Sequence, residues 1–457
     1  MNKKTITRRE FALAAGAAAA AMTVPRHAVA DSGKTAPSDK LNIAGVGIGG
    51  MGGHNLSQCA GENIVALCDV DWGLAASAFA RYPGAKHYKD FRVMLDQQKD
   101  IDAVIVATPD HTHAVVALAA IERGKHVYVQ KPLAHSVNEV RKMTEAARNH
   151  KVITQMGNQG RSGDGVRMVC EWIWDGAIGN VREVHAWTNR PVWPQGVEVE
   201  RPRETPPVPA KLDWDLWIGP APMRPYHPTY HPGTWRAWWD FGTGSLGDLG
   251  CHILDAPFSA LKLKYPSSVE GCISTYWPGL WNKMEPKNET YPRSTIVRYQ
   301  FPARDGQPEV KLTWWDGGMM PPRPDVLEEG RRMGDDDGGV LFIGDKGMLI
   351  CGCYGKSPRL VPETKMREYK VPAKTFPRVP GGEGGHEHDW LRACKDGKPA
   401  SSNFDYSGPL SEMVLMGNLA VRFPNRRLLW DGQMMQVTND KEADGYVRRQ
   451  YRQGWTL

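Results

Sequence analysis

The stretch KLNIAGVGIGGMGGHNL, residues 40–56, decides the fold. A short apolar run with strand character flows directly into glycines. Gly47, Gly49 and Gly52 then stand as G-x-G-x-x-G at the junction of a strand and a helix. In that setting the three glycines allow a tight turn, close approach of backbone to a pyrophosphate, and close packing of helix on strand. Gly50 and Met51 start a helix whose N-terminal amides point at the phosphates. A second frame starting at Gly45 would cut the strand short, and a lone glycine triplet is weak evidence, so the flanking sequence has to carry the reading.

It does. ENIVALCDVD, residues 62–71, reads as a second strand ending in Asp69, 17 positions beyond Gly52, where an acid holds the ribose hydroxyls of a dinucleotide. Val70, Asp71 and Trp72 follow, with no arginine for a 2′-phosphate, which favours NAD over NADP. Residues 100–157 then alternate strand, helix, strand, helix, strand, as a doubly wound parallel sheet does. Residues 40–160 are read as a Rossmann domain.

From residue 161 to 457 the pattern changes. STIVRYQFP, EVKLTWWD and VLFIGDKGMLICG read as strands joined by turns, so the second domain is α+β, with a largely antiparallel, open-faced sheet covered on one side by helices. Thirteen of the 17 tryptophans fall between 172 and 315. Residues 191–234 are too proline-dense for regular structure, and a loop this long inside a compact domain is commonly functional. Aromatic faces suit the C–H faces of sugars, which makes Trp193, Tyr230 and Trp238 candidate substrate contacts, although buried anchoring is the commoner use of Trp. His386 and His388 read as surface histidines at a helix start, and Asp335, Asp336 and Asp337 as a solvated loop.

FGTGSLGDLGCHILD, residues 241–255, sets Asp248 and His252 four apart. If the glycines end a loop and a helix follows, both side chains project from one face. Taken together, GIGGMG after the first strand, ATPDHTHAVVALAAIERGKHVYVQKPLA across the fourth and fifth, and GSLGDLGCHILD in the second domain resemble the Gfo/Idh/MocA family of sugar and polyol oxidoreductases. The resemblance implies that Lys131 of the QKP motif sits beside nicotinamide and substrate. It further implies that Thr108, Pro109, His113 and Gln130 line the cofactor, that His252 is the general acid/base with Asp248 as its orienting acid near the substrate, and that Asn189 and Arg190 of TNRP lie near the pocket. The family often has Glu where this chain has Gln130, so Lys131 lacks an anionic neighbour in its own motif, and a buried lysine without one deprotonates more readily.

The first thirty residues read as a removable leader. Lys3, Lys4, Arg8 and Arg9 precede the 14-residue apolar run FALAAGAAAAAMTV, and Ala28-Val29-Ala30 is a small-x-small cleavage signature. TRREF resembles the twin-arginine export motif, which makes the twin-arginine export machinery a partner and implies export of the folded chain to the periplasm or beyond after cleavage near Ala30. Residues 31–39 form a linker. The leader takes five of the 57 Lys and Arg and one of the 51 Asp and Glu, leaving 52 against 50, a net charge of about +2. That charge, with no basic stripe, gives no reason to expect nucleic acid, and no later run is long enough for a membrane span. Eight cysteines without Cys-x-x-Cys read as mostly buried thiols, and nothing reads as a metal site.

The function this implies is hydride transfer between a sugar CH–OH and a tightly bound NAD, because an exported enzyme has no free cofactor pool and must close its redox cycle. One alternative is an NAD-dependent glycoside hydrolase working by transient oxidation, elimination, hydration and re-reduction, with Lys131, His252 or Tyr230 as the base for the α-proton. A second is a cofactor-bearing binding protein without turnover. Assembly as a homo-oligomer through the second-domain sheet is also implied by the resemblance.

Overall fold

The computed structural model describes residues 39–195, 200–284 and 289–457. The leader and all but the last residue of the linker lie outside the described residues.

The first domain is a six-stranded sheet of β1 (Asn42–Val46), β2 (Asn63–Cys68), β3 (Lys86–Tyr88), β4 (Ala103–Val106), β5 (His126–Val129) and β6 (Thr154–Met156) in the order β3-β2-β1-β4-β5-β6. Every pairing is parallel. AVIV of β4 is buried at all four positions because helices cover both faces of such a sheet. Helix Val137–His150 shows how the sequence sets its limits. Ser136 and Glu139 form a reciprocal capping box at its start, and Lys151 ends it in the left-handed conformation at φ 53°.

The strand order reverses between β1 and β4, and the crevice outside their C-terminal ends is where ligands of such sheets bind. Two glycines there are required by geometry. Gly47 has φ +76° and packs against the Ala107–Thr108 backbone, and a Cβ on Gly52 would fall 1.9 Å from the Gly47 carbonyl oxygen. The loop therefore folds back on its own helix, Met51–Gln58, only because both positions lack a side chain.

In the second domain β7 (Val181–Thr188), β8 (Ser268–Ile273), β11 (Thr295–Phe301), β12 (Val310–Trp315), β13 (Gly338–Gly344), β14 (Gly347–Gly352), β15 (Arg359–Val361), β16 (Arg427–Asp431) and β17 (Gln436–Val437) form one nine-stranded sheet. A short hairpin of β9 (Tyr276–Gly279) and β10 (Asn282–Met284) stands apart from it. All nine-stranded pairings are antiparallel except β7 with β12. One face packs on helices Gly244–Ile253 and Phe404–Arg422, where Leu246, Tyr299, Phe301 and Met416 share the core.

The linear division at residue 160 misses one exchange. Helix His386–Asp396 returns to the first domain, where Trp390 and Leu391 join Ile43, Leu56 and Tyr128 in a buried cluster. His386, read as a surface residue, is fully buried: Nε2 faces the Met156 carbonyl at 2.8 Å and Nδ1 the Ser162 hydroxyl at 2.7 Å. His388 is exposed, as read. Among the described residues no helix is long and apolar enough to cross a membrane. Cys351 and Cys353 are buried free thiols.

Candidate active site

A cavity of about 440 Å³ opens at the switch point, lined on one side by Gly47, Gly49, Gly50, Met51 and Asp69, and continued by Thr108, Pro109, His113, Gln130 and Lys131. Gly52 supports this loop from behind rather than facing the space. Asp69 both braces the glycine loop and faces the cavity. Its carboxylate accepts from the amides of Ile48 at 2.8 Å, Gly49 at 3.3 Å and Asp71 at 2.9 Å. Burial raises its pKa, and these amides oppose the shift. A carboxylate has about four acceptor positions, so a ribose hydroxyl can still be received.

Thr108 brings a buried hydroxyl with no partner to this wall. With the glycine cradle and Asp69, that orphaned donor makes the residues fit a dinucleotide. His113 is tied by both ring nitrogens, at 2.8 Å each, to the Pro132 and Thr108 carbonyls, and so joins the loop after β4 to the Lys131–Pro132 segment. Gln130 is held in a buried relay: its Nε2 donates to Asn55 Oδ1 at 2.9 Å, and Asn55 Nδ2 donates to Glu387 Oε1 at 2.7 Å.

The opposite wall comes from the Pro-rich segment and from helix Gly244–Ile253. Asp213 N donates to the Val70 carbonyl and Trp72 N to that of Lys211, so this segment adds backbone pairing beyond the end of β2. His231 Nε2 lies 2.9 Å from Asp71 Oδ2 and latches the roof, while Trp217, Trp235 and Trp455 complete it. Burial works to raise the Asp71 pKa, but His231 and the amides of Leu74 and Gly73 outweigh it and hold it low.

At the inner end Lys131 Nζ donates to Asp248 Oδ1 at 2.9 Å and to the Asp248 carbonyl at 2.7 Å. Arg190 Nε lies 3.5 Å and Arg236 Nε 3.7 Å from the same carboxylate. Lys131, which has no acid in its own motif, takes its anionic neighbour from a residue 117 positions away. Asp248, expected to orient His252, instead spends its carboxylate on three cations. Burial works to raise the Asp248 pKa, but the Lys131 and Arg236 charges more than offset it, so it stays ionised.

His252, one turn further on, packs its ring at 4.7 Å from that of Tyr354 and leaves Nδ1 without a partner. Burial, and after it the Lys131 charge, depress its pKa well below 6.5, which keeps the imidazole neutral. Asn189 sits behind the site, receiving a hydrogen bond from Arg190 and donating to the Asp336 carbonyl. Arg190 also reaches Asp337 at 3.1 Å, so the acidic loop is partly structural.

Of the expected substrate contacts Asp248 lines the cavity, whereas His252, Arg190 and Asn189 adjoin its partners without lining it, and Trp193, Tyr230 and Trp238 are used otherwise. Tyr230 and Trp238 are only 3% and 1% exposed, inside a cluster with Trp214 and Phe241 that stiffens the roof. Tyr230 is therefore not placed to act as an α-proton base. Trp193 does not line the cavity; its indole donates to Gln195. Sequence reasoning passed over Arg236, Trp235, Trp217 and Asp110, which do line it. The usable signal for the first two was their place in TWRAWWDFG, immediately before the glycines that lead to Asp248.

Comparison with known proteins agrees with this geometry. Residues 41–158 match the profile of an oxidoreductase family's NAD-binding Rossmann fold, and residues 181–269 that of an oxidoreductase family's C-terminal α/β domain. A levoglucosan dehydrogenase of Pseudarthrobacter phenanthrenivorans is 26% identical over 250 residues, covering 52% of this chain and 55% of that protein. An inositol 2-dehydrogenase of Salmonella typhimurium is 34% identical over 146 residues, covering 31% and 43%. The chain thus spans about half the length of the curated relatives it matches. Among solved structures, a levoglucosan dehydrogenase in complex with NADH superposes with a TM-score of 0.55 at 19% identity, covering 84% of this chain and 98% of that one. An aldose-aldose oxidoreductase from Caulobacter crescentus gives 0.55 at 16% identity, covering 86% and 100%. These likenesses show the two-domain fold.

Proposed function

We propose that the chain, whose residues 41–158 and 181–269 match the two domain profiles of the Gfo/Idh/MocA oxidoreductases, is a member of that family and transfers hydride between the CH–OH of a sugar or polyol and NAD. The observation that carries this reading is the Lys131–Asp248 pair at 2.9 Å, facing the same cavity as the glycine loop and Asp69. The nicotinamide ring, when bound, supplies a hydride acceptor at C4. Lys131, aimed by Asp248, donates a hydrogen bond to the substrate hydroxyl oxygen and stabilises the negative charge that develops there as the C–O bond becomes a carbonyl. The neutral His252 accepts the hydroxyl proton. In the reverse direction the same groups return the proton and polarise the carbonyl.

Retention of the cofactor is part of the same proposal. The Asp71–His231 latch and the backbone pairing beyond β2 support it, since both join the roof to the strand that carries Asp69. Export through a twin-arginine leader is supported by the Arg8-Arg9 pair and the apolar run after it, and assembly through the sheet by the partly uncovered Trp315, Ile343 and Met348.

The test is to mix the protein and NAD with a panel of aldoses, uronates and polyols and follow reduced nicotinamide by absorbance. At least one substrate should reduce the cofactor. A neutral His252 with a depressed pKa loses function only when it binds a proton, so the acid limb of kcat/KM should lie below pH 6.5. No reduction by any member of the panel would defeat the proposal, and an acid limb above pH 6.5 would remove His252 as the proton acceptor.

A further inference from the structure

Lys131 and Arg236 line the cavity beside Asp248, and Arg190 reaches the same carboxylate without lining it. Lys131, Arg190 and Arg236 share Asp248, and among the described residues Arg190 alone of the three pairs with a second carboxylate, Asp337. The remaining acid on this wall, Asp110, is buried and accepts a hydrogen bond from Thr243. Arg236 stands out among the three. Its side chain is 37% exposed and lines the cavity, and its guanidinium lies 4.2 Å from the Trp235 ring centre and 5.9 Å from that of Trp193. Its only hydrogen bond among the described residues is a long one, 3.4 Å to the Gly233 carbonyl. A planar guanidinium held against aromatic rings in a cavity wall, with one long hydrogen bond among the described residues, is prepared for a planar or tetrahedral oxyanion.

We propose that the substrate is an anionic sugar, bearing a carboxylate or a phosphate or sulfate ester, and that Arg236 recognises that group while Lys131 holds the hydroxyl to be oxidised. This rests on the oxidoreductase reading above and names its substrate class. Trp193, which does not touch the cavity, gains a role as one of the supports of Arg236.

The test uses the full chain loaded with NADH, titrated by calorimetry with methyl β-D-glucuronide, glucose 6-phosphate and methyl β-D-glucoside. The anionic sugar that fits should bind about 10- to 100-fold more tightly than the glucoside, the range for a hydrogen bond to a charged group. Which of the two anions gains tells a carboxylate from an ester. The ratio should fall to within about threefold in Arg236→Gln and survive in part in Arg236→Lys, and it should shrink as salt is raised. Equal affinity for all three sugars, absence of binding by any of them, or an unchanged ratio in Arg236→Gln overturns the inference. Preference for an anion without reduced nicotinamide in the companion assay would instead count against the oxidoreductase reading, so the two failures are distinguishable.

Discussion

Replacing Lys131 by methionine is expected to lower kcat/KM for sugar oxidation by about a thousandfold, within the range for losing a positioned proton-transfer or charge-stabilising group. NAD should still bind, because Gly47, Gly49 and Asp69 lie at the other end of the cavity. The loss should appear in kcat as well as in kcat/KM, since the charge that Lys131 stabilises develops only in the transition state. Methionine keeps most of the length of the stem and removes the charge, leaving Asp248 with Arg190 and Arg236 as counter-ions. Breaking a buried pair by deleting one partner costs about 3–5 kcal/mol, and the two remaining arginines should soften that cost. Steady-state kinetics on the folded variant, with NAD binding measured alongside, checks the expectation. Wild-type turnover in Lys131→Met would remove the pair from the chemistry.

The second large effect is predicted at Gly52. A Cβ there would lie 1.9 Å from the Gly47 carbonyl oxygen and 3.2 Å from the Ala107 Cβ, and neither backbone can yield without opening the turn that faces the cavity. Gly52→Val should therefore bind NAD at least about a hundredfold more weakly and lose about 3 kcal/mol or more of stability. Gly61→Ala is the control, because a Cβ there meets no atom within 4 Å. Titration of NAD by fluorescence and denaturant unfolding of both variants separate the two losses. Undiminished NAD affinity in Gly52→Val would mean that this loop does not hold the cofactor.

The parts of the site that could be read from the sequence are those built by neighbours in the chain. Gly47, Gly49 and Gly52 occupy one turn, and Asp69 directly follows the strand paired with β1, so a fixed spacing carries the information. The alternation of apolar runs and helices likewise exposed the parallel sheet, because buried parallel strands are nearly continuous in hydrophobicity. What was hidden depends on tertiary partners. Nothing in QKP shows that its counter-ion comes from Asp248, and nothing in TPDHTH shows that His113 is spent on two backbone carbonyls.

Gln130 illustrates the same limit. Its neutral amide donates towards Asn55 and, through it, Glu387, a residue on the helix that crosses back from the second domain. A carboxylate at position 130 would lack the hydrogen that Asn55 Oδ1 receives, so the departure from Glu fits this chain's own network. Tyr230 and Trp238 were misplaced for a related reason: an aromatic residue in a proline-rich stretch has the same sequence signature whether it faces a ligand or another ring. Here the stacking of Trp214 on Trp217 at 4.7 Å and the edge contact of Tyr230 with Trp238 at 4.8 Å settle their use as a scaffold.

The most direct test of hydride transfer follows the hydrogen itself. The protein with NAD is given the fully C-deuterated form of the sugar that reduces it fastest, and the nicotinamide is recovered and analysed by mass spectrometry. Direct transfer predicts one deuterium at C4 of the reduced nicotinamide, and where a second sugar then reoxidises the cofactor from the same face that deuterium passes to the second sugar's reduced product. Reduced nicotinamide without deuterium, or oxidised sugar formed with deuterium in neither the nicotinamide nor a reduced second product, would contradict the account.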